Sequence, residues 1–120
     1  FVDKEQILAW NPDFIFIDAG SRSILTEDFE NNRAFYRLLK AAEAGQVYSV
    51  LPYNYYNTNI ELALLNAYFI GKSVYPEAFH DVHIKEKAKE IMAAFLGVRP
   101  DQEMPAYQVV RFPATGPVEW

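Results

Sequence analysis

The run Phe14-Ile15-Phe16-Ile17, enclosed between Asp13 and Asp18, constrains the fold of this chain more than any other feature. Four consecutive apolar residues leave a strand without a polar face, so both faces of that strand need cover. Such a run is typical of parallel sheets that carry helices on each side. A second run, Val47 to Leu51, follows a segment long enough to hold a helix. The sequence therefore predicts an α/β fold: a small, mostly parallel sheet flanked by helices, with a right-handed connection.

Helix boundaries are marked by capping and breaking residues. Asp3 can cap a short helix that stops at Asn11-Pro12, and Gly45 ends a helix predicted from about residue 32 to residue 44. A polar, acidic segment leads into that second helix. These helices lie before and between the two strands, as the α/β prediction requires.

Two more helices are predicted after the second strand. The segment from Ile60 to Tyr75 is apolar almost all round, and 84–96 is amphipathic and ends at Gly97. The tail from residue 98 carries four prolines, which favours an irregular or edge segment with room for a short strand at Tyr107 to Phe112. We therefore expect one lobe over residues 1–97 and a Pro-rich tail over 98–120.

Composition narrows the classes of function. Sixteen acidic and eleven basic residues give a net charge of -5, and the basic residues form no stripe, so nucleic acid is not an expected partner. The chain has no cysteine, which removes thiolate metal sites and cysteine nucleophiles. The apolar helix is interrupted by polar residues and is too short to span a bilayer. Because the chain begins at the entrance to a helix, without an export signal, we expect it to be part of a longer protein.

Polar and aromatic side chains follow each of the two predicted strands. The carboxyl ends of neighbouring parallel strands share one edge of a sheet, so we expect the loops 19–23 and 52–59 to lie together there. Their hydroxyl, guanidinium, phenol and amide groups can hydrogen-bond or stack on a ligand. The predicted ligand-binding residues are Ser21, Arg22, Tyr53, Asn54, Tyr55, Tyr56, Asn57 and Asn59.

Other interpretations of these residues stay open. The tyrosines can pack the end of the sheet, and one of Asn57, Thr58 or Asn59 can cap the helix that follows. An enzyme or cofactor-carrying α/β domain is the alternative class, with Asp18 as general base, although loop anchoring suits that residue better. His80 and His83 are predicted to be solvated rather than metal-binding, and we predict neither a catalytic residue nor a metal site.

The acidic residues Glu27, Asp28 and Glu30 also have two interpretations. They can form a solvated helix entrance that interacts favourably with the helix dipole. The alternative is a docking patch for a basic partner, which the residues alone favour less.

Two stretches resemble a known family. Lys4 to Asp18, reading KEQILAWNPDFIFID, is similar to the "EQIL-x-x-NPD-x-(I/V)" entry of the cluster-class substrate-binding proteins of ABC importers for iron complexes and cobalamin. Leu39 to Tyr48 resembles the same family's "L-x-A-V-(K/R)-(N/E)-G-(R/Q)-V-Y" stretch. The similarity covers about residues 2 to 97 and matches the C-terminal lobe.

The resemblance implies a function and a location. It implies capture of an iron chelate, a haem or a corrinoid in a cleft shared with an N-terminal lobe, and delivery to a membrane permease outside the cytoplasm. The transported ligand is then the metal complex, and the protein needs no cofactor of its own. The resemblance also implies that an acidic residue on each lobe pairs with permease arginines, for which Glu27, Asp28 or Glu30 are the candidates here.

Overall fold

The computed structural model describes residues 2–54, 56–97 and 107, together with the backbone of 108–110 and 115–117. The chain forms two compact units, the first from residues 1–50 and 107–118 and the second from 51–106 and 119–120. Helices and strands are mixed along the sequence, and a parallel strand pair is present, so the predicted α/β class is confirmed.

The first unit contains a four-stranded sheet. Its strands lie in the order β1 (Ile15–Asp18), β2 (Val47–Val50), β3 (Gln108–Val110) and β4 (Thr115–Pro117). β1 and β2 are parallel, with Asp18 opposite Val50, which confirms the pair predicted from the two apolar runs. β3 is antiparallel to β2, and β4 is antiparallel to β3. The predicted tail strand is therefore β3, and it joins the sheet as an antiparallel neighbour. In the described sheet one strand pair is parallel and two are antiparallel, so the prediction of a mostly parallel sheet holds only for β1 and β2.

The first helix, α1 (Lys4–Trp10), has the predicted caps. Asp3 accepts a hydrogen bond from the N–H of Gln6 at 2.7 Å, and Asn11 adopts a left-handed conformation with φ 40° directly before Pro12. The Asn11 side chain also accepts a hydrogen bond from the N–H of Lys40 at 3.0 Å, 29 residues away. One asparagine therefore ends α1 and caps a distant helix.

The sequence predicted a polar, non-helical segment followed by one helix from about residue 32 to residue 44. The structure has three short helices over this part of the chain, so that prediction was wrong. They are α2 (Arg22–Asn31), α3 (Arg33–Arg37) and α4 (Lys40–Glu43). The break before α4 has a tertiary cause. Leu39 takes an extended backbone with ψ 118° and is almost fully buried, while the next N–H bonds to Asn11. Core packing and a distant cap thus override the helical spacing.

The apolar core of the first unit lies between the helices and the two parallel strands. Phe29, Tyr36 and Leu39 form one buried cluster, and Ala41 packs with Val47 in another. β2 is buried as the pattern predicted. β1 lies at the edge of the described sheet and its apolar residues are only half-buried, so the predicted burial of β1 on both faces was wrong.

The second unit is built on two packed helices, α5 (Ile60–Val74) and α6 (Ile84–Leu96). Gly97 ends α6 with φ 64°, as predicted. At Gly71 the ring of Phe79 approaches α5 so closely that a Cβ would lie 2.4 Å from its Cζ atom. Among the described helices, none combines the length and the apolar character needed to cross a membrane.

Candidate functional site

The turn after β1 is held by Asp18. Its carboxylate accepts a hydrogen bond from the N–H of Gly20 at 2.7 Å, which organises one turn of 3-10 helix over Ala19–Ser21. This geometry agrees with the loop-anchoring interpretation of Asp18. The turn leads directly into α2 and leaves Ser21 and Arg22 exposed to solvent at its start. Two of the predicted ligand-binding residues are therefore accessible, on a turn fixed by a short local bond.

The loop after β2 is closed by its own asparagines. Asn54 and Thr58 form an antiparallel bridge, and the N–H of Asn59 donates to the carbonyl oxygen of Tyr53 at 2.7 Å. The Asn59 side-chain amide also donates to Tyr53 O and to Asn57 O, both at 3.3 Å. Asn59 is the N-cap residue of α5, yet its side chain makes no capping bond. The amide of Asn59 is thus used to hold the loop.

Asn66 holds the base of the same loop. The N–H of Leu51 donates to Asn66 Oδ1 at 3.0 Å, and Asn66 Nδ2 donates to the carbonyl oxygen of Leu51 at 2.8 Å. Asn66 is only 6% exposed in the middle of the apolar α5, whereas Leu51 is half-buried, so both bonds are partly shielded from water. This two-bond clamp fixes the point at which the chain leaves β2. The sequence signal for it was a lone asparagine in an otherwise apolar helix.

The tyrosines of the loop are presented to solvent. Tyr56 is 87% exposed and Tyr53 is 44% exposed, while Asn54 and Asn57 are exposed beside them. Tyr55, also predicted to bind ligand, lies outside the described residues. The loop carries no charged residue between Leu51 and Ile60. A partner would therefore meet neutral phenols, amides and aromatic ring faces here, which favours stacking and hydrogen bonding over ion pairing.

β1 and β2 end side by side in the sheet. Asp18 at the end of β1 is opposite Val50 at the end of β2, so the chain leaves both strands at one edge of the sheet. The first turn belongs to the first unit, whereas the loop from Leu51 belongs to the second. The meeting of Arg22 with the tyrosines stays a prediction.

The three acidic docking candidates have different environments. Asp28 accepts hydrogen bonds from Lys4 Nζ and the Tyr36 hydroxyl, each at 2.5 Å, and from Asn32 Nδ2 at 3.0 Å. The bonds from Lys4 and Tyr36 lower the pKa of Asp28, whereas burial and this carboxylate raise the pKa of Tyr36. Sequence reasoning missed this network, because its members are far apart in the chain.

Glu27 and Glu30 are the exposed members of the acidic group. Glu30 pairs with Arg33 three residues later on the helix surface. Among the described residues, Glu27 is exposed and takes part in no ion pair. An external cation can therefore pair with Glu27 more easily than with Asp28 or Glu30, because none of the described ion pairs has to break first.

The two histidines lie near the start of α6. His80 is exposed, with Nδ1 3.0 Å from the carbonyl oxygen of Glu77, and His83 is exposed at the N-cap of α6. In the part of the chain that the structure describes, no three His, Cys, Asp or Glu residues are grouped so as to hold a metal ion.

No protein-family model matches the chain, and no curated protein matches it either.

Proposed function

We propose that this chain is the C-terminal lobe of a substrate-binding protein that serves an ABC importer. It captures a metal complex, either an iron chelate, a haem or a corrinoid, in a cleft shared with an N-terminal lobe. The observation that carries the proposal is the loop after β2, which holds Tyr53 and Tyr56 towards solvent on a hydrogen-bonded, charge-free frame. The resemblance of Lys4 to Asp18 and of Leu39 to Tyr48 to the cluster-class family supports the same assignment.

The proposed ligand-binding residues have different roles. Tyr53 and Tyr56 contact the ligand through ring faces and hydroxyl groups, because flat chelates and macrocycles offer large π surfaces. Asn54 and Asn59 position these tyrosines, since their side chains bond within the loop. Arg22 and Ser21 take the oxygen atoms of the ligand, such as a haem propionate or a chelate carboxylate.

Delivery requires docking on a membrane permease. Glu27 is the proposed docking carboxylate, because Asp28 and Glu30 are already bonded within the chain. An exposed carboxylate of this kind steers a basic partner and sets the orientation of the complex. Such a protein works outside the cytoplasm, in the periplasm or anchored by lipid at the cell surface. The protein brings no cofactor of its own to this task.

Titration with defined complexes tests the proposal. Haem, cyanocobalamin and ferric siderophores are added to the chain, and the visible absorption band of each is followed. We expect a saturable band shift for at least one complex, with weak affinity, because one lobe supplies only part of the contacts. Tyr56→Ala and Tyr53→Ala should each weaken that binding by about tenfold, as expected for loss of a stacking aromatic worth about 1.4 kcal/mol.

Tyr75 provides the matched control. It is also an exposed tyrosine of the second unit, but it follows α5, a helix of 15 residues that separates it from the loop by about 22 Å. Tyr75→Ala should leave the affinity unchanged. Equal losses for Tyr56→Ala and Tyr75→Ala, or no saturable shift with any of the complexes, would contradict capture by this loop.

A further inference from the structure

The first unit contains a pocket of about 500 Å³ on the side of the half-buried β1. Its wall is mostly apolar, and the apolar lining includes Ile7, Trp10, Ile15, Leu25, Leu39 and Val47. This volume lies within the range of sites that hold small molecules. Trp10 is 62% exposed, so the cavity is open to solvent past an aromatic ring. None of the ligand-binding residues predicted from the two loops lines it.

One polar cluster interrupts the apolar wall. Lys4, Asp28 and Tyr36 all line the pocket, and Asp28 accepts hydrogen bonds from both of the other side chains. Lys4 Nζ also lies 5.7 Å from the centre of the Phe35 ring, a cation–π contact that keeps the ammonium group near the apolar wall. A small set of converging polar groups in an apolar cavity is the usual composition of a ligand site.

The hydrogen-bond inventory of this cluster defines the head group that it accepts. The ammonium group of Lys4 has three N–H donors, and its hydrogen bond to Asp28 uses one of them. The Asp28 carboxylate receives three donors, counting Asn32, and its charge is balanced by Lys4. The cluster therefore offers hydrogen-bond donors without net charge. Lys4 and Asp28 keep 40% and 32% of their side-chain surface exposed, so an anionic head would lose only part of its hydration there. It would still gain no net counter-charge, and the chain itself carries -5.

We propose that this pocket binds a neutral amphipathic small molecule. Its apolar body fills the cavity, and its hydroxyl or carbonyl oxygen accepts a hydrogen bond from Lys4. A strand laid over the pocket would bring a row of unpaired backbone groups, whereas the wall provides a single polar cluster for one head group. The site lies within the first unit and is independent of metal-complex capture.

Matched eight-carbon probes test the head group. Octanol, octanoate and octylammonium are titrated into the ¹⁵N-labelled chain, and amide shifts of Ile15, Leu25 and Leu39 are followed. We expect saturable shifts at these residues, with octanol binding at least about tenfold more tightly than octanoate. Octanol should also bind about 15-fold more tightly than hexanol, since each buried methylene changes the affinity about fourfold.

Variants separate the pocket from non-specific apolar binding. Lys4→Met leaves Asp28 without its counter-charge, so the preferred probe should change from octanol to octylammonium. Leu25→Trp fills the cavity and should abolish binding, whereas Leu64→Trp, on the exposed surface of α5, should not. If Leu25→Trp fails to fold, Trp10→Ala removes part of the rim instead and should weaken octanol binding severalfold.

Several results would overturn the proposal. If octanoate binds as tightly as octanol, the pocket does not prefer a neutral head group. Shifts spread over α5 and α6, or equal effects of Leu25→Trp and Leu64→Trp, would indicate non-specific association. A dimer that covers the pocket and excludes octanol would show that a second copy of the chain is its occupant.

Discussion

The clamp from Asn66 to Leu51 supports a quantitative prediction for Asn66→Ala. The substitution removes two hydrogen bonds, at 3.0 and 2.8 Å, and leaves the N–H and C=O of Leu51 without their partner. Each bond contributes about 1 kcal/mol net, and a buried group left unpaired costs about 1–3 kcal/mol. Leu51 is half-buried, so water takes over part of the loss. The free energy of unfolding should therefore fall by about 2–4 kcal/mol.

Thermal unfolding measures the loss of stability, and amide hydrogen exchange measures the loosening of the loop. At about 4 °C per kcal/mol for a chain of this size, the Tm of Asn66→Ala should drop by about 8–16 °C. Exchange should accelerate most over residues 51–59, because the clamp fixes the base of that loop. Since this loop presents the tyrosines, the same variant should also weaken binding of the metal complex.

Ser73→Ala is the matched control on the same helix. Ser73 is buried to the same degree, 7% exposed against 6% for Asn66, but its hydroxyl donates to Phe69 O one turn earlier in α5. Losing a bond within the helix should cost about 0–1 kcal/mol. If Asn66→Ala destabilises the chain no more than Ser73→Ala does, or if exchange over 51–59 is unchanged, the clamp does not hold the loop.

Three further predictions follow from other contacts. Gly71→Ala should destabilise the chain by about 1–2 kcal/mol despite the higher helix propensity of alanine, because the added Cβ would overlap the Phe79 ring. In a double-mutant cycle, Phe79→Leu should restore part of this loss. The lowered pKa of Asp28 contributes stability that is present above its unfolded-state value of 3.8 and is lost as pH falls through the lower folded value, so acid denaturation of Asp28→Asn should lack this component. Glu27→Ala should reduce stimulation of permease ATP hydrolysis without changing ligand affinity, and an unchanged stimulation would exclude Glu27 as the docking residue.

The sequence by itself determined the elements whose cause is local. Continuous apolar runs predicted β1 and β2 and their parallel pairing, although only β2 is buried as such a run requires. Asp3, Gly45 and Gly97 marked helix ends through their own backbone preferences and hydrogen bonds. The exposure of Tyr53 and Tyr56 also followed from a local pattern, a proline and asparagine-rich loop between a strand and a helix.

Only the tertiary structure decided the features that depend on partners far along the chain. Asn11 caps α4 and thereby helps divide a segment that its spacing predicted as one helix. Lys4 and Asp28, 24 residues apart, meet at a pocket that no local pattern indicates, and this removes Asp28 from the exposed acidic group. Asn66 reaches Leu51 across 15 residues. A hydrogen-bond partner is chosen by distance in space, and sequence periodicity carries no information about that distance.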